Sequence, residues 1–280
     1  MLTLFSVPKP FRGDIARLQE NAVATWAALD GVEVILFGDE EGTAEAAHAA
    51  GVRYGDDVAR NAHGTPRIDA LFSVAESEGS GELLGFVNAD ILLPPRFPAV
   101  LEEVRRELGE FVGLGQCLDL EIDGRLPADW EEAGRKHGTL RGPGGIDYLV
   151  FSRGQFASLP PFVLGRAYFD NWLVWRARRD GVPVVDLTEV VAAVHQQHDY
   201  SHVAGGKGEA YAGEEALRNL ELAGGRLHLF NVDDATHRLT EDGLRRNLLA
   251  PVRALASVRW LVLHSGALAR RVRRRETPFA

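Results

Sequence analysis

The sequence predicts an α/β fold with a mostly parallel, mixed central sheet flanked by helices, followed by a helical C-terminal extension. Two runs, LTLFSV (2–7) and VEVILF (32–37), have the composition of buried strands. Between them, apolar residues recur at helical spacing from Ile15 to Leu29. The same alternation continues through the first half of the chain, which indicates strand–helix–strand units with parallel strands.

The remaining elements follow in chain order. In the first half we predict a helix over 42–50 that ends at Gly51, a strand over 52–54, a helix over 67–76, a strand over 83–87, a helix over 99–108 and a strand over 111–115. In the second half we predict a glycine-rich loop leading into a strand (141–154), a helix (168–181), and strand-like segments at 182–187 and 190–200.

The composition is that of an ordinary globular protein. Of 280 residues, 45% are hydrophobic and 25% charged, which leaves no bias towards disorder. A single cysteine, Cys117, excludes an internal disulfide framework and a thiolate metal cluster. The apolar run at the N-terminus is too short for a signal-peptide core, and no run is long enough for a membrane span. We therefore expect a cytoplasmic protein.

The charge is unevenly distributed along the chain. The net charge is −9, yet residues 243–275 contain nine arginines and no acid, whereas residues 1–242 contain 22 basic and 39 acidic residues. The acidic body argues against nucleic acid as a partner. The basic segment predicts an amphipathic helical extension over 236–280. This extension could dock peripherally on the inner face of an anionic membrane, or it could pack on the acidic body.

Several polar residues follow predicted strands at the carboxyl edge of the sheet, where open parallel sheets bind ligands. Ser6 and Lys9 follow the first strand, Asp39 the second, and Asn88 and Asp90 the strand over 83–87. Each aspartate could be a turn or cap residue, although the ILLPP after Asp90 offers no helix to cap. The sequence lacks both G-x-G-x-x-G after the first strand and G-x-x-x-x-G-K-[ST], so a bound diphosphate would need a divalent cation, with Asp90 as a ligand.

Two further stretches contain chemically competent side chains. The segment VHQQHDYSH places His195, His198 and His202 close together; they are either ordinary polar histidines or contain one ligand that completes a metal site. In YFDNW, Asp170 stands between aromatic residues, and partial desolvation would raise its pKa and suit it to proton transfer. Asp170 could also cap a helix that begins at Asn171, and the two roles are compatible.

These stretches, in this order, resemble the GT-A-fold nucleotide-sugar-dependent glycosyltransferases. The NAD at 88–90 is similar to their metal-binding D-x-D motif, with Asn88 in place of the first acid. FDNWLVWRARRDG resembles their acid-led helix, and HQQHDYSH resembles their terminal histidine segment. Taken together, RNAHGTP, VNADILLPP, FDNW and HQQHDYSHVAGG resemble a group of bacterial glycosyltransferases.

The resemblance implies a GT-A/Rossmann-like domain over residues 1–235, with a nucleotide-binding half at 1–118 and an acceptor half at 119–235. It implies Asp170 as catalytic base, and Mn²⁺ or Mg²⁺ held by Asp90 with His195 or His198. The residues it implies for substrate binding are Ser6, Val7, Pro8, Asp39, Arg60, Asn61, Thr65, Asn88, Ala89, Asp147, Asn171 and Trp172.

The implied reaction moves a sugar from a UDP- or GDP-type nucleotide sugar to a hydroxyl of a glycan or lipid-linked acceptor. The reaction inverts the anomeric centre if Asp170 is the base, and a retaining route stays open if Asp170 only positions the substrate. The sequence leaves two other hypotheses about function open. A sugar-1-phosphate nucleotidyltransferase shares the sheet order, and a non-catalytic binding module is compatible with the missing acid at Asn88.

Overall fold

The computed structural model describes residues 1–56, 58–198 and 206–255, together with Val258. The strands are β1 (Leu2–Ser6), β2 (Val32–Phe37), β3 (Arg53–Gly55), β4 (Leu83–Val87), β5 (Ile91–Leu92), β6 (Val112–Leu114), β7 (Leu118–Leu120), β8 (Thr139–Leu140), β9 (Tyr148–Ser152), β10 (Val184–Asp186), β11 (Val194–Gln196), β12 (His237–Thr240) and β13 (Gly243–Arg246). The helices are α1 (Gly13–Ala27), α2 (Thr43–Ala50), α3 (Ile68–Glu78), α4 (Phe97–Leu108), α5 (Trp130–His137), α6 (Phe169–Arg179), α7 (Thr188–Val191), α8 (Gly206–Ala212), α9 (Glu214–Leu222) and α10 (Ala250–Arg253).

The central sheet has nine strands in the order β13-β12-β10-β6-β9-β4-β1-β2-β3. The strands β1, β2, β3 and β4 pair in parallel, whereas β9 runs antiparallel to both of its neighbours, β4 and β6. The predicted mixed, mostly parallel sheet is therefore confirmed. The carboxyl ends of β1, β2 and β4 meet at one edge, and this edge is where the predicted polar residues begin.

Helices cover both faces of the sheet because most central strands are apolar on both sides. Helices α1 and α4 bury Trp26 and Phe97 on one face. Helices α3 and α6 bury Phe72 and Trp172 on the other. In β4, a Cβ at Gly85 would lie 2.6 Å from Leu4 Cδ2, so glycine lets neighbouring strand β1 pack closely there.

A second, four-stranded sheet in the order β5-β11-β7-β8 lies beside α1. In it β11 pairs antiparallel with β5 and parallel with β7. The indole Nε1 of Trp26 donates a hydrogen bond of 2.9 Å to the carbonyl of Ile91, which ties α1 to β5. Since β5 begins directly after Asp90 and pairs with β11, this small sheet brings Asp90 next to a strand that comes much later in the chain.

Two predicted segments differ from the structure. The stretch 190–200 is not one extended segment, because the short helix α7 ends at Val191 before β11 starts at Val194. The predicted helical extension over 236–280 begins instead with a β-hairpin, in which β12 pairs in parallel with β10 and β13 completes the edge. The unpaired edge of β10 explains this difference, since it supplies backbone partners that helical spacing cannot reveal.

Within the described residues of this C-terminal segment, helix first appears at α10. The predicted helix beyond Val258 and the candidate ligand His202 lie outside the described residues. Among the residues that are described, no helix combines the length and the apolar character that crossing a bilayer requires.

Candidate active site

A cleft of about 1100 Å³ opens at the carboxyl edge of the central sheet, next to the small sheet. The predicted site residues that line it are Val7, Pro8, Arg60, Thr65, Asn88, Ala89, Asp90, Asp147, Asp170, Asn171, His195 and His198. The structure thus places together residues from six separate parts of the sequence. The sheet order explains this arrangement, because β1, β4 and β9 are neighbours and the small sheet adds β11.

Asp90, His195 and His198 form a compact group on one side of the cleft. His198 Nε2 lies 2.9 Å from Asp90 Oδ2, and His195 Nε2 lies 3.7 Å from the same oxygen. One ligand atom from each residue lies within 4.8 Å of the other two. Their side chains are only 12–15% exposed, so this group of one carboxylate and two imidazoles is well shielded from bulk water.

The surroundings keep the Asp90 carboxylate charged. Burial by itself would raise its pKa, but the hydrogen bond from His198 and the charges of His195 and Lys9 outweigh burial and lower that pKa below its usual range. Within the described part of the chain, the buried Oδ1 of Asp90 has no hydrogen-bond partner. An ionised carboxylate with one unused buried oxygen is able to coordinate a cation.

A chain of polar contacts runs behind this group. His195 Nδ1 lies 2.7 Å from Asp119 Oδ1, and Arg141 Nη1 lies 2.9 Å from the same oxygen. Arg141 Nε lies 3.2 Å from Asp147 Oδ2, and Asn88 Nδ2 donates a 3.2 Å hydrogen bond to Asp147 Oδ1. Asn88 is thus linked to the candidate metal ligand His195 by a series of polar contacts, in which Arg141 and Asp147 form an ion pair.

Asp170 stands in the first turn of α6, and the structure gives it an environment different from that of Asp90. Burial, with a further contribution from the charge of Asp147, raises the pKa of Asp170 to about 7, although backbone N–H groups of Asn171 and Ile146 oppose the shift. A carboxyl that titrates near neutrality is suited to accept a proton.

The alternative role of Asp170 as helix cap does not match the geometry. The helix α6 begins at Phe169, and the cap position belongs to Tyr168. Tyr168 has φ +90°, a left-handed conformation that is unfavourable for a tyrosine. Residues in such conformations cluster at functional sites. This turn, which is braced by a 2.9 Å hydrogen bond from the Tyr168 hydroxyl to the Tyr211 carbonyl, leads the chain into Asp170 at the cleft.

Four predicted substrate-binding residues do not line the cleft. Ser6 is buried and donates to the Val87 carbonyl at 2.6 Å, which ties β1 to β4. Asp39 is exposed and forms an ion pair with Arg60 at 2.5 Å. Asn61 shapes its own loop by accepting from the Thr65 N–H. Trp172 packs in the core with its ring centroid 5.2 Å from that of Phe162. These residues stabilise the walls of the cleft and do not face into it.

The structure also adds residues that the sequence patterns did not single out as ligands or catalytic groups. Asp119 and Arg141 line the cleft beside His195, and Lys9 lines it near Asp90. The buried side chain of Gln19 holds Lys9 by both backbone groups, at 2.6 Å and 2.8 Å. Asp119 and Arg141 belong to no recognisable motif, and only the pairing of β7 with β11 and β8 reveals their position.

This protein is similar to known proteins in its fold, and its sequence gives no match. The sequence matches no protein-family model and no curated protein. The fold is similar to that of residues 1–349 of Staphylococcus aureus TarS in complex with UDP-GlcNAc, with a TM-score of 0.54 and 14% identity over 80% of this chain. The chain spans 65% of that TarS structure.

The fold is also similar to glucosyl-3-phosphoglycerate synthase from Mycobacterium tuberculosis. The TM-score is 0.50 at 15% identity, and the match covers 81% of each chain. The same synthase in complex with phosphoglyceric acid gives a TM-score of 0.50 at 16% identity. The chain therefore has a GT-A/Rossmann-like fold, with a mixed central sheet flanked by helices. At these identities the likeness establishes the architecture alone.

Proposed function

We propose that this protein is a glycosyltransferase that moves a sugar from a nucleoside-diphosphate sugar to an acceptor hydroxyl with the aid of a divalent cation. The observation that carries the proposal is the cleft itself, which holds an ionised carboxylate with two imidazoles and, separately, a carboxyl that titrates near neutrality. Two carboxyl groups whose environments push their pKa values apart are typical of sites that divide charge stabilisation from proton transfer.

The residues fit a divalent cation. Asp90 Oδ1 is buried and without a hydrogen-bond partner in the described residues, and His195 and His198 lie beside the other oxygen of the same carboxylate. Phosphate oxygens of the donor would complete the ligand set. Imidazole ligands favour Mn²⁺ over Mg²⁺, which prefers oxygen. When bound, the cation would neutralise charge on the departing diphosphate.

Side chains of this protein would supply the proton transfer and further positive charge. Ionised Asp170 accepts the proton of the acceptor hydroxyl as that oxygen attacks the anomeric carbon, which inverts the stereochemistry. Lys9 adds positive charge close to Asp90, where the diphosphate is expected. A uridine nucleotide is the first candidate donor, since the TarS structure with the same fold holds UDP-GlcNAc.

A turnover assay with UDP- and GDP-sugars in the presence of Mn²⁺ tests the proposal. We expect sugar release or transfer from at least one donor, and loss of turnover in Asp90→Ala and Asp170→Asn. Asp14→Asn, at an exposed position of α1, is the control. Full turnover in Asp90→Ala would contradict the proposal. Nucleotide binding without turnover would indicate a binding module, and formation of a nucleotide sugar from a nucleoside triphosphate would indicate a nucleotidyltransferase.

We also propose that the C-terminal segment contacts an anionic membrane surface, as suits a lipid-linked acceptor. Leu248, Leu249, Val252 and Leu255 are 82%, 67%, 50% and 54% exposed, and the arginine-rich part of the sequence follows them. Apolar side chains beside arginines are the combination that binds such surfaces.

Flotation of the full chain with vesicles tests this contact. We expect co-flotation with anionic vesicles, little with neutral ones, and a clear loss in the double variant Leu248→Ser/Leu249→Ser. Equal behaviour of the variant and the unaltered protein would contradict the proposed contact.

A further inference from the structure

We propose that Asp119, held in place by Arg141, is a positioning residue that sets the orientation and the tautomer of His195 as a metal ligand. This inference rests on the metal site of the proposed function and extends it to two residues outside the ligand set. The contact that carries it is the 2.7 Å separation between Asp119 Oδ1 and His195 Nδ1.

The contact has a direct consequence for the ring. A carboxylate oxygen accepts hydrogen bonds, so the nitrogen facing Asp119 is the one that holds a proton. In the neutral ring, Nε2 then carries the lone pair, and this atom lies 3.7 Å from Asp90 Oδ2. A ligating histidine needs this arrangement: one nitrogen free for the cation and the other donating to a carboxylate.

The register of the small sheet builds this pair. His195 in β11 and Asp119 in β7 are direct partners across a parallel pairing. Side chains of directly opposed residues share one face of a sheet and lie close to one another. The contact therefore follows from backbone pairing and does not depend on a mobile loop.

Arg141 prevents the Asp119 carboxylate from turning away. Its Nη1 lies 2.9 Å from Asp119 Oδ1 and its Nε lies 3.2 Å from Asp147 Oδ2, so one guanidinium bridges two carboxylates. The backbone of Arg141 is itself anchored, since its N–H donates to the Cys117 carbonyl at 3.0 Å and its carbonyl accepts from the Gln116 side chain. The bridge also offsets the negative charge that two acids would otherwise place next to the metal ligands.

The first test measures Mn²⁺ affinity by titration calorimetry on the full chain, without nucleotide. We expect Asp119→Asn to weaken binding by about 10- to 100-fold, the usual cost of losing a carboxylate partner of a ligating histidine. Arg141→Gln should weaken it in the same direction. Asp186→Asn is the control, because it breaks another carboxylate–arginine pair, with Arg238, that links β10 to β12 and involves none of the proposed metal ligands. It should lower thermal stability and leave Mn²⁺ affinity unchanged.

The second test reads the tautomer directly, through the ¹⁵N shifts of the metal-free protein at a pH where histidine rings are neutral. The His195 signal is assigned by its absence in His195→Gln. We expect a protonated Nδ1 in the unaltered protein and a changed or mixed tautomer in Asp119→Asn, whereas a merely structural role of Asp119 would leave the tautomer as it was.

The outcomes separate this inference from the proposed function. If His195→Ala and Asp90→Ala weaken Mn²⁺ binding but Asp119→Asn does not, the positioning role is wrong and the metal site stands. A protonated Nε2 on His195 in the unaltered protein also overturns the positioning role. If the unaltered protein binds Mn²⁺ neither alone nor in the presence of UDP, both are wrong.

Discussion

Asn88 is joined to Asp147 twice: its side-chain Nδ2 donates to Asp147 Oδ1 at 3.2 Å, and its backbone N–H donates to the Asp147 carbonyl at 2.9 Å. The Asp147 carboxyl is buried, and burial raises its pKa even though the charge of Arg141 opposes the shift. The amide of Asn88 supplies a donor to a carboxyl that another acid would repel. This contact gives a physical reason for asparagine at the first position of the NAD motif.

Replacing Asn88 by aspartate tests this explanation. We expect Asn88→Asp to lower the free energy of unfolding at pH 8 by about 1–3 kcal/mol, since a donor is lost and two carboxylates face each other. The loss should shrink towards pH 5, because the pair can then share a proton. Urea denaturation at both pH values measures it. Asn88→Ala, which removes the donor without adding charge, should show a smaller and less pH-dependent loss; equal behaviour of the two variants would contradict the explanation.

The pKa of Asp170, raised to about 7 by burial, predicts how activity depends on pH. A base works when ionised, so kcat/KM should rise with pH to a plateau above about 7. Asp170→Asn should lower kcat by about 10²- to 10⁴-fold and abolish that limb of the profile. pH–rate profiles with the acceptor varied from well below KM to saturation measure both effects. An unchanged limb in Asp170→Asn would assign the titration to another group.

The same shift predicts a gain in stability on removing the Asp170 carboxylate. Between the ordinary aspartate pKa near 3.9 and about 7, the folded protein keeps a proton that the unfolded chain has lost, so its free energy of unfolding falls as pH rises. Asp170→Asn lacks this proton, and its stability relative to the unaltered protein should increase across that window, at up to about 1.4 kcal/mol per pH unit. Denaturation curves at pH 4, 5.5 and 7 measure the difference, and a constant difference would contradict the shift.

Cation binding should stabilise the folded protein. At a Mn²⁺ concentration 100-fold above the dissociation constant, we expect about 2.7 kcal/mol of added stability, which chelation with EDTA should reverse. The Asp90→Ala variant should show no such gain, since it lacks the only carboxylate of the Asp90, His195, His198 group. Thermal unfolding with and without Mn²⁺ measures it, and the Asp14→Asn variant should behave like the unaltered protein.

Gln19 should act on nucleotide affinity through Lys9. Its amide satisfies both backbone groups of Lys9, so Gln19→Leu leaves two polar groups unpaired and frees the segment that presents the lysine. We expect weaker UDP binding in Gln19→Leu and in Lys9→Gln. Uridine binding should be less affected than UDP binding, because Lys9 lies near Asp90, where we propose that the phosphates bind. Calorimetric titrations with both ligands measure this. Equal losses for uridine and UDP would show that the segment contacts the nucleoside instead.

Periodicity was sufficient for the regular part of the fold. Strands β2 and β4 have the predicted bounds. Helix α2 ends at Ala50 and is capped by Gly51, whose φ of +69° suits a helix end. These elements depend on neighbours in sequence, through apolar alternation and end signals, so local patterns can predict them. The hairpin of β12 and β13 could not be predicted in this way, because it depends on the open edge of β10.

The composition of the site was visible in the sequence, and its geometry was not. Asp90 stands out because it follows a strand with no helix to cap, Asp170 because it lies between aromatic residues, and the histidines because they cluster within a few residues. Asp119 and Arg141 carry no such signal, and Ser6 and Trp172 turn inward although their neighbours line the cleft. The sequence alone determined the fold class and the candidate side chains. Tertiary structure decided which atoms face one another, because strand pairing brings together residues about 100 positions apart, and only that pairing sets their separation, burial and charge.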